Sequence, residues 1–195
     1  MIKSITIGDL SCLSVNRQEV LRYLGVKNAD ETTNGLITLC HREAMDVVVP
    51  SAVYVESDVT AENGVVEFDF MRVNSTNLAT NLSGCKKAYL FCATLGIGVD
   101  RMIERLNRTS PAKAVVFSAV CSSLVESLCD YVNEKIIGQD ASRPRFSCGY
   151  GDFCLEHQRD ILSALEADKR LGVYLTDSYM MVPVKTVTAV IGIRR

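Results

Sequence analysis

The sequence has few of the residues and patterns that build metal sites, membrane spans or nucleic-acid surfaces. Its only histidines are His41 and His157, and none of its eight cysteines belongs to a C-x-x-C pair, so a zinc site is poorly supported. The longest nearly apolar run, AYLFCATLGIGV at 88–99, is shorter than the roughly 18 residues that indicate a membrane span. The net charge is −2 and the basic residues are spread along the chain, which gives no electrostatic footprint for nucleic acid.

The N-terminus lacks the features of a secretory signal. Its residues MIKSITIGDLSCLSV contain one lysine, an early aspartate and no extended apolar region, so they do not read as a signal peptide. A chain of 195 residues without such a signal is expected to keep its cysteines as free, partly buried thiols. We therefore expect a cytoplasmic protein that does not associate with a membrane.

The hydrophobic periodicity predicts a mixed fold. Helices are predicted at 16–25 (with Asn16 as the N-cap), 31–48, 75–82, 98–108, 111–136 and 155–172, and strands at 86–96, 173–176 and 184–193. The alternating stretch 53–73 around ENG predicts a β-hairpin. Because helices and strands mix without strict βαβ alternation, we expect the α+β class, with a largely antiparallel twisted sheet packed with several helices. The 48% hydrophobic content indicates a single compact domain over 1–195, whose N-terminal part to about residue 50 is helical.

Two positions permit both a structural and a functional interpretation. The glycines of ATLGIGVDR (93–101) follow a strand and open a helix, where backbone N–H groups can bind phosphate. The segment lacks the third glycine of the dinucleotide fingerprint and any GK[ST], which favours a tight strand-to-helix turn. The helix predicted at 111–136 has a core stripe of apolar residues at three- and four-residue spacing, namely Phe117, Cys121, Leu124, Leu128, Tyr131 and Val132. Glu126 lies about two positions out of phase with Leu124 and Leu128, so it projects from the opposite side of its helix, and spacing alone favours a solvated face.

The stretch RPRFSCGYGD (143–152) concentrates residues suited to ligand binding. The guanidinium of Arg145 matches a carboxylate or phosphate bidentately, and Gly149 permits close approach of backbone. Tyr150 offers a flat face to a ring system or a cation, while Asp152 either holds positive charge or caps the next turn. An ordinary turn beside a surface arginine explains the same residues equally well.

The residues from Arg145 onward resemble the activation region of cobalamin-dependent methionine synthase. The R-x-x-x-G-Y motif of that family falls on Arg145, Gly149 and Tyr150, and a helix, a K-x-x-G ending at 169–172, the turn LTDS (175–178) and MMVP (180–183) follow in the family's order. The upstream segments 81–106 and VESLCDYV (125–132) look like small stand-alone versions of the same region. The resemblance covers most of the chain and is strongest from residue 75 onward.

This resemblance implies a stand-alone subunit that binds S-adenosylmethionine, with its binding motifs at about 111–193. In the family, the activation region presents S-adenosylmethionine to cobalamin that has been oxidised to cob(II)alamin, while a reductant supplies one electron and methylcobalamin is regenerated. The chain has no room for a cobalamin-binding histidine loop, a cysteine-rich zinc site or a folate barrel. The cobalamin would therefore be carried by a partner, the methionine synthase core, and a flavodoxin-like protein would supply the electron.

The resemblance also implies roles for individual residues. Arg145 would pair with the methionyl carboxylate of the ligand, and Gly149 would let backbone come close. Backbone groups from Ser147 to Tyr150 would read the adenine, and Tyr150 would face the corrin ring. By its place in VES, Glu126 matches an acidic residue of the family that helps to hold the ligand. No catalytic residue and no metal ligand of the chain itself is expected.

Three departures from the family pattern keep other functions open. Cys148 stands where the family often has proline, Asp177 replaces a glutamate, and Asn16 is the best counterpart of a ligand-contacting aspartate, although a plain helix cap explains it better. One alternative is a non-catalytic module that binds or senses S-adenosylmethionine. Another is that the client is a different corrinoid protein.

Overall fold

An antiparallel sheet of seven strands lies at the centre of the computed structural model, which describes residues 1–194. Its strands are β1 (Lys3–Thr6), β2 (Ser51–Glu62), β3 (Val65–Phe68), β4 (Arg72–Asn74), β5 (Lys87–Thr94), β6 (Ala141–Ser142) and β9 (Thr186–Arg194). The order is β4-β3-β2-β5-β9-β6, with β1 also paired to β2. A separate small hairpin joins β7 (Tyr174–Leu175) to β8 (Met181–Val182). The predicted α+β class and the largely antiparallel sheet are confirmed.

The described residues form seven α-helices. They are α1 (Arg17–Leu24), α2 (Glu31–Met45), α3 (Thr76–Asn81), α4 (Ile97–Thr109), α5 (Pro111–Ile137), α6 (Gln158–Ala164) and α7 (Ala167–Leu171), with short 3-10 turns at Leu10–Cys12 and Leu155–His157. Of these, α3, α5, α6 and α7 pack on the sheet, while α1, α2 and α4 pack on α5. The start of α1 is as predicted, because the Asn16 side chain accepts hydrogen bonds from the N–H groups of Gln18 and Glu19.

The two faces of the sheet bury two separate hydrophobic cores. Successive side chains of a strand point to opposite faces, so Phe91 of β5 lies in a first core with α1, α2, α4 and α5, whereas Leu90 lies in a second core with α3, α6 and α7. The core stripe predicted for α5 is confirmed, since Phe117, Leu124 and Leu128 are fully buried. By length and composition α5 could cross a membrane, but 61% of its most apolar stretch is buried inside the protein. Packing against the sheet on one side and against α1, α2 and α4 on the others therefore accounts for its apolar character.

Local turn chemistry agrees with the sequence at two further places. The hairpin between β2 and β3 turns at Asn63 and Gly64, both with positive φ, as a two-residue type I′ turn requires. The segment after β5 is the tight strand-to-helix turn that its sequence favours. A Cβ at Gly98 would lie 2.3 Å from the carbonyl oxygen of Val47, so the close approach of α4 to the end of α2 explains that glycine.

Two elements differ from the predictions. Lys3–Thr6 forms a strand paired to β2, although the N-terminal part was expected to be helical; four residues are too few for a periodicity to show. The single helix predicted at 155–172 is broken into a 3-10 turn, α6 and α7, with Glu166 at a φ of 48°. Leu165 and Ala167 are both fully buried in the second core, and a continuous helix would point these two side chains about 200° apart.

The cysteines are free thiols, as predicted. Six are buried, whereas Cys12 is intermediate and Cys154 is exposed. Burial raises the pKa of Cys121 and of Cys129 to about 12, so these thiols behave as small apolar side chains in the first core.

Candidate functional site

The segment that carries Arg145 lies along the edge of the sheet, beside β9. Phe146 exchanges two backbone hydrogen bonds with Val190 of β9, at 3.0 and 2.8 Å. Ser142 pairs with Ile193, so between these two pairs three residues of the segment (143–145) oppose two of β9 (191–192), and the segment contains a bulge. Pro144, which has no N–H to donate, lies inside that bulge. After Pro144, the side chain of Arg145 points to α5 and the side chain of Phe146 packs against the second core.

Arg145 and Glu126 are in direct contact. The guanidinium of Arg145 lies 3.1 Å from Oε2 of Glu126 and 2.8 Å from Oδ1 of Asp130. Glu126 and Asp130 are one turn apart on α5 and so project on the same side of the helix. The side chains of Arg145 and Glu126 are 24% and 31% exposed, so the ion pair is partly shielded from water. Asp130 was not predicted; its spacing of four residues from Glu126 is the signal that could have identified it.

Glu126 lies opposite the core stripe, as its phase predicts, yet it does not lie on an open solvated face. Leu124 and Leu128 are fully buried, whereas Glu126 is half-buried beneath Arg145. The ion pair across the sheet edge explains why an acidic side chain occupies a sheltered position on α5.

Asn16 lies near this ion pair but serves as a helix cap. Its side-chain Oδ1 caps α1, and its backbone N–H donates to Oγ of Ser123 at 2.8 Å. The N–H of Ser14 donates to Oγ of Ser127 at 3.0 Å, so the chain before α1 passes along the turn of α5 that holds Glu126. The cap leaves Oδ1 of Asn16 engaged by the start of its own helix.

Ser147, Gly149 and Tyr150 form one turn. The N–H of Tyr150 donates to the carbonyl of Ser147 at 3.1 Å, and the N–H of Gly149 donates to the carbonyl of Phe153 at 2.7 Å. Gly149 has a φ of 90°, and a Cβ there would lie 3.2 Å from Cδ2 of Leu155, so the turn requires glycine. The carbonyl of Tyr150 accepts in turn from the N–H of Phe153 at 3.0 Å, so two N–H groups and two carbonyls between Ser147 and Tyr150 are used inside the turn.

Tyr150 is the exposed tip of this turn. Its side chain is among the exposed large apolar groups, at 56%. The ring meets Phe146 edge to face, with 5.9 Å between centroids, and Phe146 in turn stacks on Phe153 at 6.4 Å. Tyr150 therefore rests on the side of the edge segment that faces the second core, whereas Arg145 lies on the side that faces α5.

Asp152 anchors the turn to a distant helix. Its carboxylate accepts hydrogen bonds from Oγ of Ser75 and from the N–H groups of Thr76 and Asn77, the latter two at 2.7 and 3.1 Å. These hydrogen bonds lower the pKa of Asp152, and the bond from Ser75 has the largest effect. Asp152 thus caps α3 rather than the turn that follows it, and it forms no ion pair with any cation among residues 1–194. No local pattern connects residues 75 and 152, so sequence reasoning missed this contact.

A second polar cluster, formed by Lys185, Ser118 and Ser122, lies nearer the N-terminus of α5 than Glu126. Nζ of Lys185 donates to Oγ of Ser118 at 3.0 Å and to Oγ of Ser122 at 2.8 Å. Both serines line a cavity of about 360 Å³ between α1, α4 and α5, together with Tyr23, Ile103, Asn107, Ala114, Val115 and Ala119. None of the five residues predicted to bind ligand lines this cavity, and sequence reasoning missed Lys185.

Comparison with known proteins gives a likeness of fold. No family model matches the sequence, and no curated protein matches it. Among solved structures, the crystal structure of the MetH reactivation domain bound to AdoHcy matches with a TM-score of 0.72 over 98% of this chain and 78% of that chain, at 13% sequence identity. The chain therefore has the fold of a methionine synthase reactivation domain whose solved structure contains an adenosyl ligand.

Proposed function

We propose that this protein is an S-adenosylmethionine-binding reactivation subunit for a cobalamin-dependent methionine synthase. It would act in the cytoplasm on a separate core protein that carries the cobalamin, with a flavodoxin-like electron donor. In the overall reaction, cob(II)alamin gains one electron, the sulfonium–methyl bond breaks, a cobalt–methyl bond forms, and S-adenosylhomocysteine leaves. The likeness of fold to a domain solved with AdoHcy supports this assignment.

The observation that carries the proposal is the partly shielded pair of Arg145 and Glu126. The amino-acid end of S-adenosylmethionine is a zwitterion, with a carboxylate and an ammonium attached to the same α-carbon. A guanidinium and a carboxylate 3.1 Å apart offer the opposite charges in the same spacing. Arg145 would take the ligand carboxylate bidentately, and Glu126 would accept from the ammonium.

The remaining predicted residues would position the other end of the ligand. From Arg145 the ligand would cross the edge of the sheet toward the Ser147–Tyr150 turn, where Gly149 allows close backbone approach. Tyr150, exposed at the tip, would meet the corrin ring on the partner. The contribution of the chain is positioning, because the sulfonium methyl must be held in line with its acceptor.

Calorimetric titration with three ligands tests this assignment. S-Adenosylmethionine and S-adenosylhomocysteine both carry the zwitterion, and 5′-methylthioadenosine keeps the adenosine but lacks it. We expect both amino-acid ligands to bind and 5′-methylthioadenosine to bind at least tenfold more weakly. Equal binding of all three would contradict the role of the Arg145–Glu126 pair, and binding of none would contradict the assignment.

A non-catalytic S-adenosylmethionine sensor is the second candidate. It is favoured by one observation: Arg145 is engaged by Asp130 as well as by Glu126, so a ligand carboxylate has to displace at least one acidic partner. Such a site would exchange ligand readily without presenting it to cobalt. Transfer of methyl to a corrinoid partner separates the two candidates, and the identity of that partner separates methionine synthase from another corrinoid protein.

A further inference from the structure

Lys185 is a partly buried ammonium held by two serine hydroxyls. No carboxylate among residues 1–194 lies within 4.0 Å of its Nζ, although buried or half-buried lysines are normally paired with an acid. We propose that Lys185, Ser118 and Ser122 form an oxyanion-binding site next to the cavity between α1, α4 and α5, which the two serines line and Lys185 does not. Its ligand would be a small organic molecule that carries a carboxylate or phosphate on an apolar body.

The hydrogen bonds at this site leave donors free for an anion. A lysine ammonium has three N–H donors, of which two are used by Ser118 and Ser122. The hydroxyl of Ser122 donates to the carbonyl of Ser118 at 3.1 Å. The third N–H of Lys185 and the hydroxyl proton of Ser118 therefore remain for an oxyanion.

The cavity suits the body of such a molecule. Its volume of about 360 Å³ falls in the range of small-molecule sites. Most of its lining is apolar, from Ile103, Ala114, Val115 and Ala119, while the ring of Tyr23 forms one wall and Asn107 adds an amide. An apolar ring with a single oxyanion next to Lys185 would satisfy both parts of the site.

This site is separate from that of the Arg145–Glu126 pair. Lys185 contacts positions 118 and 122 of α5, and Arg145 contacts positions 126 and 130. The centres of the two contacts are eight residues apart, about 12 Å along the helix axis at 1.5 Å per residue, and their nearest positions, 122 and 126, are one helical turn apart. One carboxylate therefore cannot reach both cations, and the Lys185 site would bind the oxyanion of a second molecule.

Burial affects the pKa of Lys185 more than the groups that face it do. Burial lowers the pKa of Lys185, and the facing groups Cys121 and Asp100 only partly oppose this effect. Cys121 is a neutral thiol, because burial raises its own pKa to about 12. Oδ1 of Asp100 accepts from the N–H of Val184 at 2.9 Å, whereas its Oδ2 is buried and has no hydrogen-bond partner among the described residues. A bound oxyanion would favour the charged form of Lys185 and raise its pKa.

Nuclear magnetic resonance titrations test the proposal with acetate, benzoate and inorganic phosphate as probes. In protein with ¹³C-labelled lysine, benzoate should shift the Lys185 side-chain signals saturably and raise the pKa measured from them. Benzoate should bind at least fivefold more tightly than acetate, because only benzoate has an apolar ring that can pack against the lining of the cavity. Saturable binding of phosphate would show that the oxyanion rather than the carboxylate is recognised, and its absence would restrict the site to carboxylates.

Variants decide whether Lys185 is the binding group. Lys185→Met should weaken benzoate binding at least tenfold, as followed on the backbone amides of α5. Lys113→Met is the matched control, because Lys113 is also partly buried on α5 but is paired with Glu43 at 2.7 Å; it should bind benzoate like the native protein. Undiminished binding in Lys185→Met, or no rise in the Lys185 pKa of the native protein with benzoate, would overturn the proposal. The pKa measurement stands even if the variant fails to fold.

The test of the Lys185 site can be separated from the test of the proposed function. Arg145→Ala should leave benzoate binding unchanged, whereas Lys185→Met should leave the preference for S-adenosylmethionine over 5′-methylthioadenosine unchanged. Loss of only one of these two behaviours identifies which assignment has failed.

Discussion

Replacing Arg145 with alanine should weaken binding of S-adenosylmethionine far more than it weakens the fold. Truncating one partner of a shielded, hydrogen-bonded charge pair costs about 2–5 kcal/mol of binding free energy. The Arg145 side chain is 24% exposed, so we expect the lower part of this range. A loss of about 2–3 kcal/mol corresponds to roughly a 30- to 140-fold weaker Kd.

The cost to stability should be small, because exposed ion pairs contribute about 0.2–1 kcal/mol each. Arg145 has two acidic partners, of which Asp130 is 72% exposed, so the free energy of unfolding should fall by about 1 kcal/mol. For a chain of this size that corresponds to a Tm lower by about 2–4 °C. The variant therefore remains folded at room temperature, and its binding can be measured.

Calorimetric titration beside thermal unfolding measures both effects in the same samples. Arg143→Ala is the matched control, since Arg143 is two residues away on the same edge and donates to the carbonyl of Ser83 rather than to a carboxylate. It should leave the Kd for S-adenosylmethionine within about twofold. Glu126→Gln, which keeps the shape and removes the charge, should weaken binding by about 1.5–3 kcal/mol, as for a hydrogen bond to a charged group. Equal affinity of the native and Arg145→Ala proteins, or an equal loss in Arg143→Ala, would refute the reasoning.

Three further predictions concern the turn and the thiols. Gly149→Ala places a side chain at a φ of 90° and should destabilise the fold by about 1–2 kcal/mol. The control is Gly35→Ala inside α2, where a Cβ meets nothing within 4 Å, and it should stabilise the fold by about 0.5–1 kcal/mol. Equal changes of Tm in the two variants would contradict this prediction. The lowered pKa of Asp152 means that its contribution to stability is present above the unfolded pKa of about 3.9 and is lost as pH falls through the folded pKa. Asp152→Asn should remove that pH dependence and speed hydrogen exchange at the first amides of α3, and unchanged exchange would exclude the cap. A thiol reagent at neutral pH should modify Cys154 first, because it is exposed whereas thiols such as Cys121 are buried; Cys154→Ser should abolish the fast phase, and a fast phase that survives would place the reactive thiol elsewhere.

The elements that sequence predicted well are those with local signals. The stripe of α5 repeats over seven turns and buries Phe117 and Leu124 as expected. The hairpin after β2 has its turn chemistry in two adjacent residues, and the cap at Asn16 lies within three residues of the amides it accepts from.

The features that sequence missed depend on contacts between distant segments. The break at Glu166 arises because Leu165 and Ala167 both fill the second core, and no residue near 166 encodes that demand. In the candidate site, the family resemblance named Arg145 and Glu126 separately, but their contact comes from the bulge at the sheet edge that turns Arg145 toward α5. Lys185 finds its serines across 63 and 67 residues, so no spacing rule could have joined them.

The measurement that tests the central claim most directly is the absorption spectrum of a cob(II)alamin-loaded methionine synthase core mixed with this protein, S-adenosylmethionine and a reductant. The account predicts that the methylcobalamin spectrum grows with the native protein, grows much more slowly with Arg145→Ala, and does not grow when S-adenosylmethionine is omitted. The contradicting result is a spectrum that remains that of cob(II)alamin although the native protein binds S-adenosylmethionine. That result would exclude reactivation of methionine synthase, and the remaining functions would be an S-adenosylmethionine sensor or the reactivation of another corrinoid protein.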